Sequence, residues 1–356
     1  MVRVVITGLG AVTHLGFGHE SLAQGLMSVE NRNAMRWISS EQQVELKGYR
    51  IDDSKLAEHL VPFKTRNMDR FAKINIAAVQ LALEDASLNV DDLEETGYIM
   101  NTTYGPWEST NRYTKELVES GPAFASPRLF PNTVVNSAQG HVSITFKMKG
   151  PTSTLAGLSA IPYAVSLLTK GEAERVIVAG ADELNENIME AYKELGSPVI
   201  FGEGVGVLIL ETFEHATRRG AQIYAEIGDY AIGSEPTMNL WFEGADATSL
   251  IYEELVSEIS LNREKDSLLV LSSTNGSQIV DRLEENVMQS LKHTYPKLEV
   301  FYPKHILGET FGASSVLSVI SAIHLLNNHT EVNDALLLNN EIGGNHIALI
   351  IKKWND

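Results

Sequence analysis

A hydroxyl-rich stretch, GPTSTLAGLSAIPYAV from Gly150 to Val165, is where this chain could mount a nucleophile. Thr152 to Leu155 reads as a short strand, and Gly157 then relaxes the backbone. A helix is expected from about Ser159 to Lys170. Ser159 stands where an N-cap would, Pro162 falls in the first turn, and Gly171 is a fitting stop. Ile161, Val165, Leu167 and Leu168 make the helix strongly apolar, so it should be buried. Arg175 to Ala179 follows as an apolar run of strand length. Strand, sharp turn, buried helix and strand can hold a nucleophile at a helix N-terminus, where backbone N–H groups favour negative charge. The nucleophile would have to be a hydroxyl, because the 356 residues include no cysteine. A hydroxyl ionises far above a thiol and needs a partnered base. GLSAI supplies half of a G-x-S-x-G elbow, but Ile161 takes the place of the second glycine and the motif is not met.

The elements that must position this stretch alternate along the chain. Residues 2–7 (VRVVIT) read as a buried strand, with the glycine-rich GLGAVTHLGFG as a loop behind it. Thr13 breaks the G-x-G-x-x-G spacing there, so no dinucleotide site is expected. Residues 28–62 read as a polar surface excursion with a short helix. Phe71, Ile74, Ala78 and Leu81 recur at helical spacing within Lys64 to Leu88. The start of that helix carries Lys64, Arg66, Arg70 and Lys73, either a solvated helix start or a docking patch. Gly97 to Thr103 is a further strand, and Leu184 to Ile200 reads as a loop. Later come a strand at Ser267–Leu271, a helix at Asp281–Lys292 and a strand near Val300. A buried helix around Ser315–Leu326 and a closing pair, Asp334–Leu338 and His346–Lys352, complete the chain. Alternation of this kind predicts an α/β fold with parallel sheet and helical layers.

Composition narrows the function. With 44% hydrophobic and 21% charged residues, the chain can bury a sizeable core. A net charge of -18 excludes a general nucleic-acid binder, which needs a basic footprint. No run approaches the roughly 20 apolar residues of a membrane span, and MVRVVITGLG is not a signal peptide, so a cytoplasmic location is expected. No cofactor or metal motif is present, and neither is expected.

Several runs resemble the beta-ketoacyl-ACP synthase family of the thiolase fold. These are the opening VVITGLGAVT, SPRLFPNTVVNSAQGHVSITF, KGEAERVIVAGADE, and FGEGVGVLILE with HATRRGAQIYAE. The resemblance covers nearly the whole chain. It implies a duplicated α-β-α-β-α layered fold with mixed sheets and a buried helical layer. The halves would be residues 1–230 and 231–356, packed as one compact unit, with residues 100–146 lining the acyl pocket and dimer contact. His141 in that segment reads as a structural histidine rather than a catalytic one. By the same resemblance the cations at Lys64, Arg66, Arg70 and Lys73 would be candidates for docking an acyl carrier protein.

The family carries one Cys, two His and a Lys, and each can be followed separately. The cysteine position falls on Ser159 when counted forward from Gly150-Pro151, and on Thr154 when counted back from Gly171. Pro162 favours Ser159, since mid-helix proline costs about 3 kcal/mol; side-chain similarity favours Thr154. Asn275 replaces the first histidine, and an amide cannot deliver a proton. In KHILGE the lysine stays as Lys304 and Glu309 replaces the second histidine, where a salt bridge to Lys304 is the simplest role. NNEIGGNH resembles the run that carries the family's acyl gate, with Ile342 in place of its phenylalanine. A framework kept while its chemistry is removed implies a non-catalytic, chain-length-factor-like subunit. It would pair with an active ketosynthase in type II polyketide or fatty-acid-type synthesis. The alternatives are an acyltransferase or hydrolase using the Ser159 or Thr154 hydroxyl, and a plain acyl-binding scaffold.

Overall fold

Alternation along single strands sets the layers. In strand Arg175–Asp182 of the computed structural model, Val176 and Val178 join one core while Ile177 and Ala179 join another. In Ser267–Leu271, Leu269 and Leu271 join that first core, whereas Leu268 and Val270 join a third. Both faces of these strands are apolar, so helices must cover both. The structure describes residues 2–28, 34–40, 42–157, 159–234, 251–262 and 266–355. Leu158 of the GLSAI run, and residues 235–250 of the second half, lie outside the described residues.

The strands form two sets with the same connectivity. The first runs Val4–Thr13, Gly204–Thr212, Arg175–Asp182, Gly97–Thr102, Thr152–Ala156. The second runs Ala225–Ser234, Asn345–Lys353, Asp334–Asn340, Ser267–Leu271, Lys297–Phe301. In each, the first two pairings are antiparallel and the last two parallel. The sets meet along Val5↔Glu226 and Ile6↔Ala225. Helices Ala160–Thr169 and Ser314–Asn328 share the middle core with the inner faces of both sets. Ser314–Asn328 is apolar or small nearly all round, as a helix between two sheets must be. Arg70–Asp85 and Ser137–Thr145 cover one outer face; Ile251–Glu258 and Gln278–Thr294 cover the other. The result is a duplicated five-layer α/β fold. No helix among the described residues is long and apolar enough to cross a membrane.

Four expectations are corrected. The run GLGAVT is not a loop: it continues the first strand to Thr13, in register with Gly204–Thr212. Its glycines serve helix packing, since a Cβ at Gly10 would lie 2.3 Å from the Ala78 carbonyl oxygen. The sheet is mixed, as the family resemblance implies, and not parallel throughout as alternation alone suggests, because antiparallel pairs occupy its centre. The polar excursion holds strands Met35–Ile38 and Glu45–Tyr49 beside its short helix, Asp53–His59. Within Leu184–Ile200, residues Glu186–Glu194 form a helix capped by the Asn185 side chain. Ile188, Met189 and Tyr192 bury one face of that helix, a pattern hidden by the charges between them.

Candidate functional site

The helix expected at the elbow begins at Ala160, with Ser159 at its N-cap position and Pro162 third. Ser159 makes no capping hydrogen bond. Proline has no N–H, so the third-position donor that a serine cap commonly takes is missing. Asn101 supplies an acceptor instead: its Oδ1 takes the Ala160 N–H at 3.0 Å. The Asn101 amide also donates to Ser315 Oγ at 3.5 Å. One side chain thus links the starts of both middle helices. Thr154 lies in mid-strand on the sheet edge and donates to Gln139 Oε1 at 2.6 Å.

The loop leading into the second middle helix gathers Lys304, Glu309 and Asn275. Lys304 Nζ lies 2.7 Å from Glu309 Oε2, both buried, so the expected salt bridge is present. Asn275 Nδ2 donates to the same oxygen at 3.0 Å. Glu309 Oε1 accepts from the Phe311 N–H and from Ser314 Oγ, each at 3.0 Å. Each carboxylate oxygen therefore receives two donors, which is the capacity of the group. Phe311 is held at φ 50° in this turn, a conformation that costs a non-glycine residue energy and persists where its surroundings fix it.

Two further buried carboxyls fasten the loops at the strand ends. Asp182 accepts from Thr102 Oγ1 and from the N–H groups of Thr103, Tyr104 and Gly312, all at 2.8 Å. It ties the first half to the Phe311 turn of the second, and burial pushes its carboxyl up to about 6. Glu284 accepts from Ser272 Oγ at 2.5 Å, Ser273 N at 2.7 Å and Ser273 Oγ at 2.8 Å. Burial pushes it up to about 7.

Sequence reasoning missed Glu341 and His346. Glu341 packs against the elbow: a Cβ at Gly157, where φ is +97°, would meet its Oε2 at 2.4 Å. Asn345 Nδ2 donates to Glu341 Oε1 at 2.6 Å, while the buried Oε2 has no hydrogen-bond partner. Burial raises this carboxyl above its ordinary range. His346 is fully buried with both ring nitrogens unpartnered, edge-on to Tyr252 at 5.2 Å between centroids. Burial, and then the charge of Lys304, push its imidazole down to about 4. A charged residue closing the apolar run DALLLNNE marks the position of Glu341, whereas nothing local marks His346.

Ile342 is half-buried against the outer core of the second half. The four expected docking cations are spread over more than one cleft. Arg66 lines a cleft of about 490 Å³ with Arg128, Asn132 and His141, while Arg70 and Lys73 line another. Arg70 is committed to Glu203 at 2.7 Å and to Asp53 at 2.8 Å, and Lys64 is exposed. His141 Nε2 lies 3.0 Å from Asn132 Oδ1.

Residues 1–199 match the profile of the beta-ketoacyl synthase N-terminal domain. A 3-oxoacyl-[acyl-carrier-protein] synthase 2 of Synechocystis is 31% identical, with 65% of this chain aligned to 62% of that protein. Its namesake from Staphylococcus aureus strain N315 is 27% identical over 90% of this chain and 85% of its own. Among solved structures, the ishigamide ketosynthase/chain length factor superposes with a TM-score of 0.84 at 20% identity, covering 99% of this chain and 100% of that one. The profile match spans more than half of the 356 residues, and on that ground the chain belongs to the beta-ketoacyl synthase family.

Proposed function

We propose that the protein is a non-catalytic ketosynthase-like subunit of the chain-length-factor type. It pairs with a cysteine-bearing ketosynthase in polyketide or fatty-acid-type synthesis and shapes the pocket for the growing chain. The observation that carries this reading is the saturation of Glu309. Its two oxygens take four donors, among them Lys304 Nζ and the Asn275 amide, so the surviving cation is neutralised within the protein. A buried carboxylate there also opposes the enolate that a condensing site must stabilise.

The surface supports a partner. Among the described residues, Thr152–Ala156 is the last strand of its sheet, with no strand on its outer side, and exposed edges invite pairing with another chain. Apolar side chains are exposed in the segment before it, including Phe130, Val135 and Ile144 at 54%, 50% and 80%. The two halves, expected as residues 1–230 and 231–356, act in this reading as one unit in the cytoplasm. An acidic carrier protein would meet Arg66 and Arg128, which face one cleft in a chain of net charge -18. Hydroxyl catalysis has less support. Thr154 donates to an amide oxygen, which is no base for its proton, and among the described residues no hydrogen bond joins Ser159 to a base.

The test is native mass after co-expression with a ketosynthase encoded beside this gene. A stable one-to-one complex is expected, with product length changing when residues near Asn132 to Gly140 are enlarged. A homodimer or monomer indifferent to the ketosynthase would sink the reading.

A further inference from the structure

Buried polar atoms rarely go without a partner, and a carboxylate oxygen that does so asks for a donor. Among the described residues, Glu341 leaves one oxygen in that state at the elbow itself. Oε1 is held by Asn345 Nδ2, whose own Oδ1 accepts from Ser234 Oγ at 2.9 Å. The carboxyl is therefore fixed in direction rather than free to swing to solvent. Oε2 lies against Gly157, the residue between the edge strand and the elbow helix, and a side chain there would displace it. Gly343 adjoins the other oxygen, with a Cβ position 2.9 Å from Oε1. Two positions without side chains thus flank a carboxyl that is only 8% exposed.

We propose that Glu341 makes the elbow a polar subsite for an acyl chain bearing a hydroxyl group, in preference to a plain hydrocarbon chain. The inference rests on the acyl-pocket reading above and names the class of chain that the pocket receives. A hydroxyl suits the subsite whatever the protonation of the carboxyl. It donates to the carboxylate, or accepts from the acid whose proton burial helps to retain. A hydrocarbon chain at the same place would leave Oε2 buried and unpaired, which is the costlier arrangement.

The experiment titrates the full chain with 3-hydroxyoctanoyl-pantetheine and with octanoyl-pantetheine by calorimetry. The hydroxylated probe should bind about tenfold more tightly, the worth of one buried hydrogen bond. Glu341→Leu should abolish the difference, and Glu341→Gln, which keeps a polar oxygen, should retain most of it. Asn345→Ala, which frees the carboxyl to turn, should reduce it and serves as the second variant if Glu341→Leu fails to fold. Equal affinities in the wild type, a difference that survives Glu341→Leu, or no binding of either probe would each overturn the subsite. None of those results bears on complex formation, which native mass reads independently.

Discussion

The two middle helices begin in corresponding places, yet their leading loops are finished in opposite ways. Before Ser314–Asn328, the loop around Glu309 closes on itself: lysine, amide, backbone and hydroxyl donors fill both carboxylate oxygens. Before Ala160–Thr169, the loop at Gly157 faces a carboxyl with one oxygen filled and the other open. A saturated group holds a loop and has nothing left for a ligand, whereas an open one costs stability and retains binding capacity. The contrast separates a loop held by its own contacts from one that keeps a hydrogen-bond acceptor to spare.

The sharpest break of the contrast is at the saturated loop. Lys304→Met should remove the cation and leave Glu309 buried without its charge partner. A loss of about 3–5 kcal/mol is expected, read as a lowered urea midpoint. Lys304→Met combined with Glu309→Leu should recover most of it, because no charge then remains buried. If the single variant is tolerated, the loop is not held by that pair. The elbow gives the next effect. Gly157→Ala puts a Cβ both at positive φ and onto Glu341, and should cost about 2 kcal/mol. Adding Glu341→Gly should relieve the steric part and leave the backbone part. An unchanged cost in the double variant would show that the carboxyl does not press on the elbow.

The framework was legible because apolar periodicity and framework glycines report packing, and packing decides layers. Strand Ser267–Leu271 lies where its apolar run places it, and the Lys304–Glu309 pair follows from opposite charges one short turn apart. GLGAVT was misread because glycine signals loops in general, whereas Gly8 and Gly10 are small so that Ala78 and Ala82 can approach the strand. Arg70 looked like a surface cation because its partner Glu203 lies 133 residues away. The roles of Glu341 and His346 depend on what is absent around them, and no local pattern records an unfilled hydrogen bond.

Acidity should move two buried groups of the second half in opposite directions. His346 stays neutral in the fold down to about pH 4, whereas the unfolded chain protonates near its ordinary value of about 6.5. Its contribution is present above pH 6.5 and is lost as pH falls toward 4. Burial holds Glu284 at about 7 in the fold against an ordinary value of about 4.5, so its contribution is present below 4.5 and is lost as pH rises through 7. Between pH 5 and 7 the two slopes oppose each other in the wild type. Relative to it, His346→Phe should lose about 1–2 kcal/mol more as pH rises across that range. Glu284→Gln should gain a similar amount, and urea midpoints at the two pH values would read both. Shifts of the same sign in the two variants would refute the assignment.

The smallest expected effect concerns the helix start at the elbow. An N-cap serine is ordinarily worth about 1 kcal/mol through its bond to a first-turn N–H. Ser159 makes no such bond, and Pro162 deprives it of one of the donors it would use. Ser159→Ala should therefore cost only a few tenths of a kcal/mol, near the level of a neutral surface change. Asn101→Ala should cost about 1–2 kcal/mol, because it orphans the buried Ala160 N–H and cuts the link to Ser315. The pair separates two accounts of the elbow serine. A large loss at Ser159 would make it a structural cap after all. A negligible loss there beside a real loss at Asn101 would mean that the helix is anchored from the neighbouring strand, leaving the Ser159 hydroxyl with no structural task at the elbow.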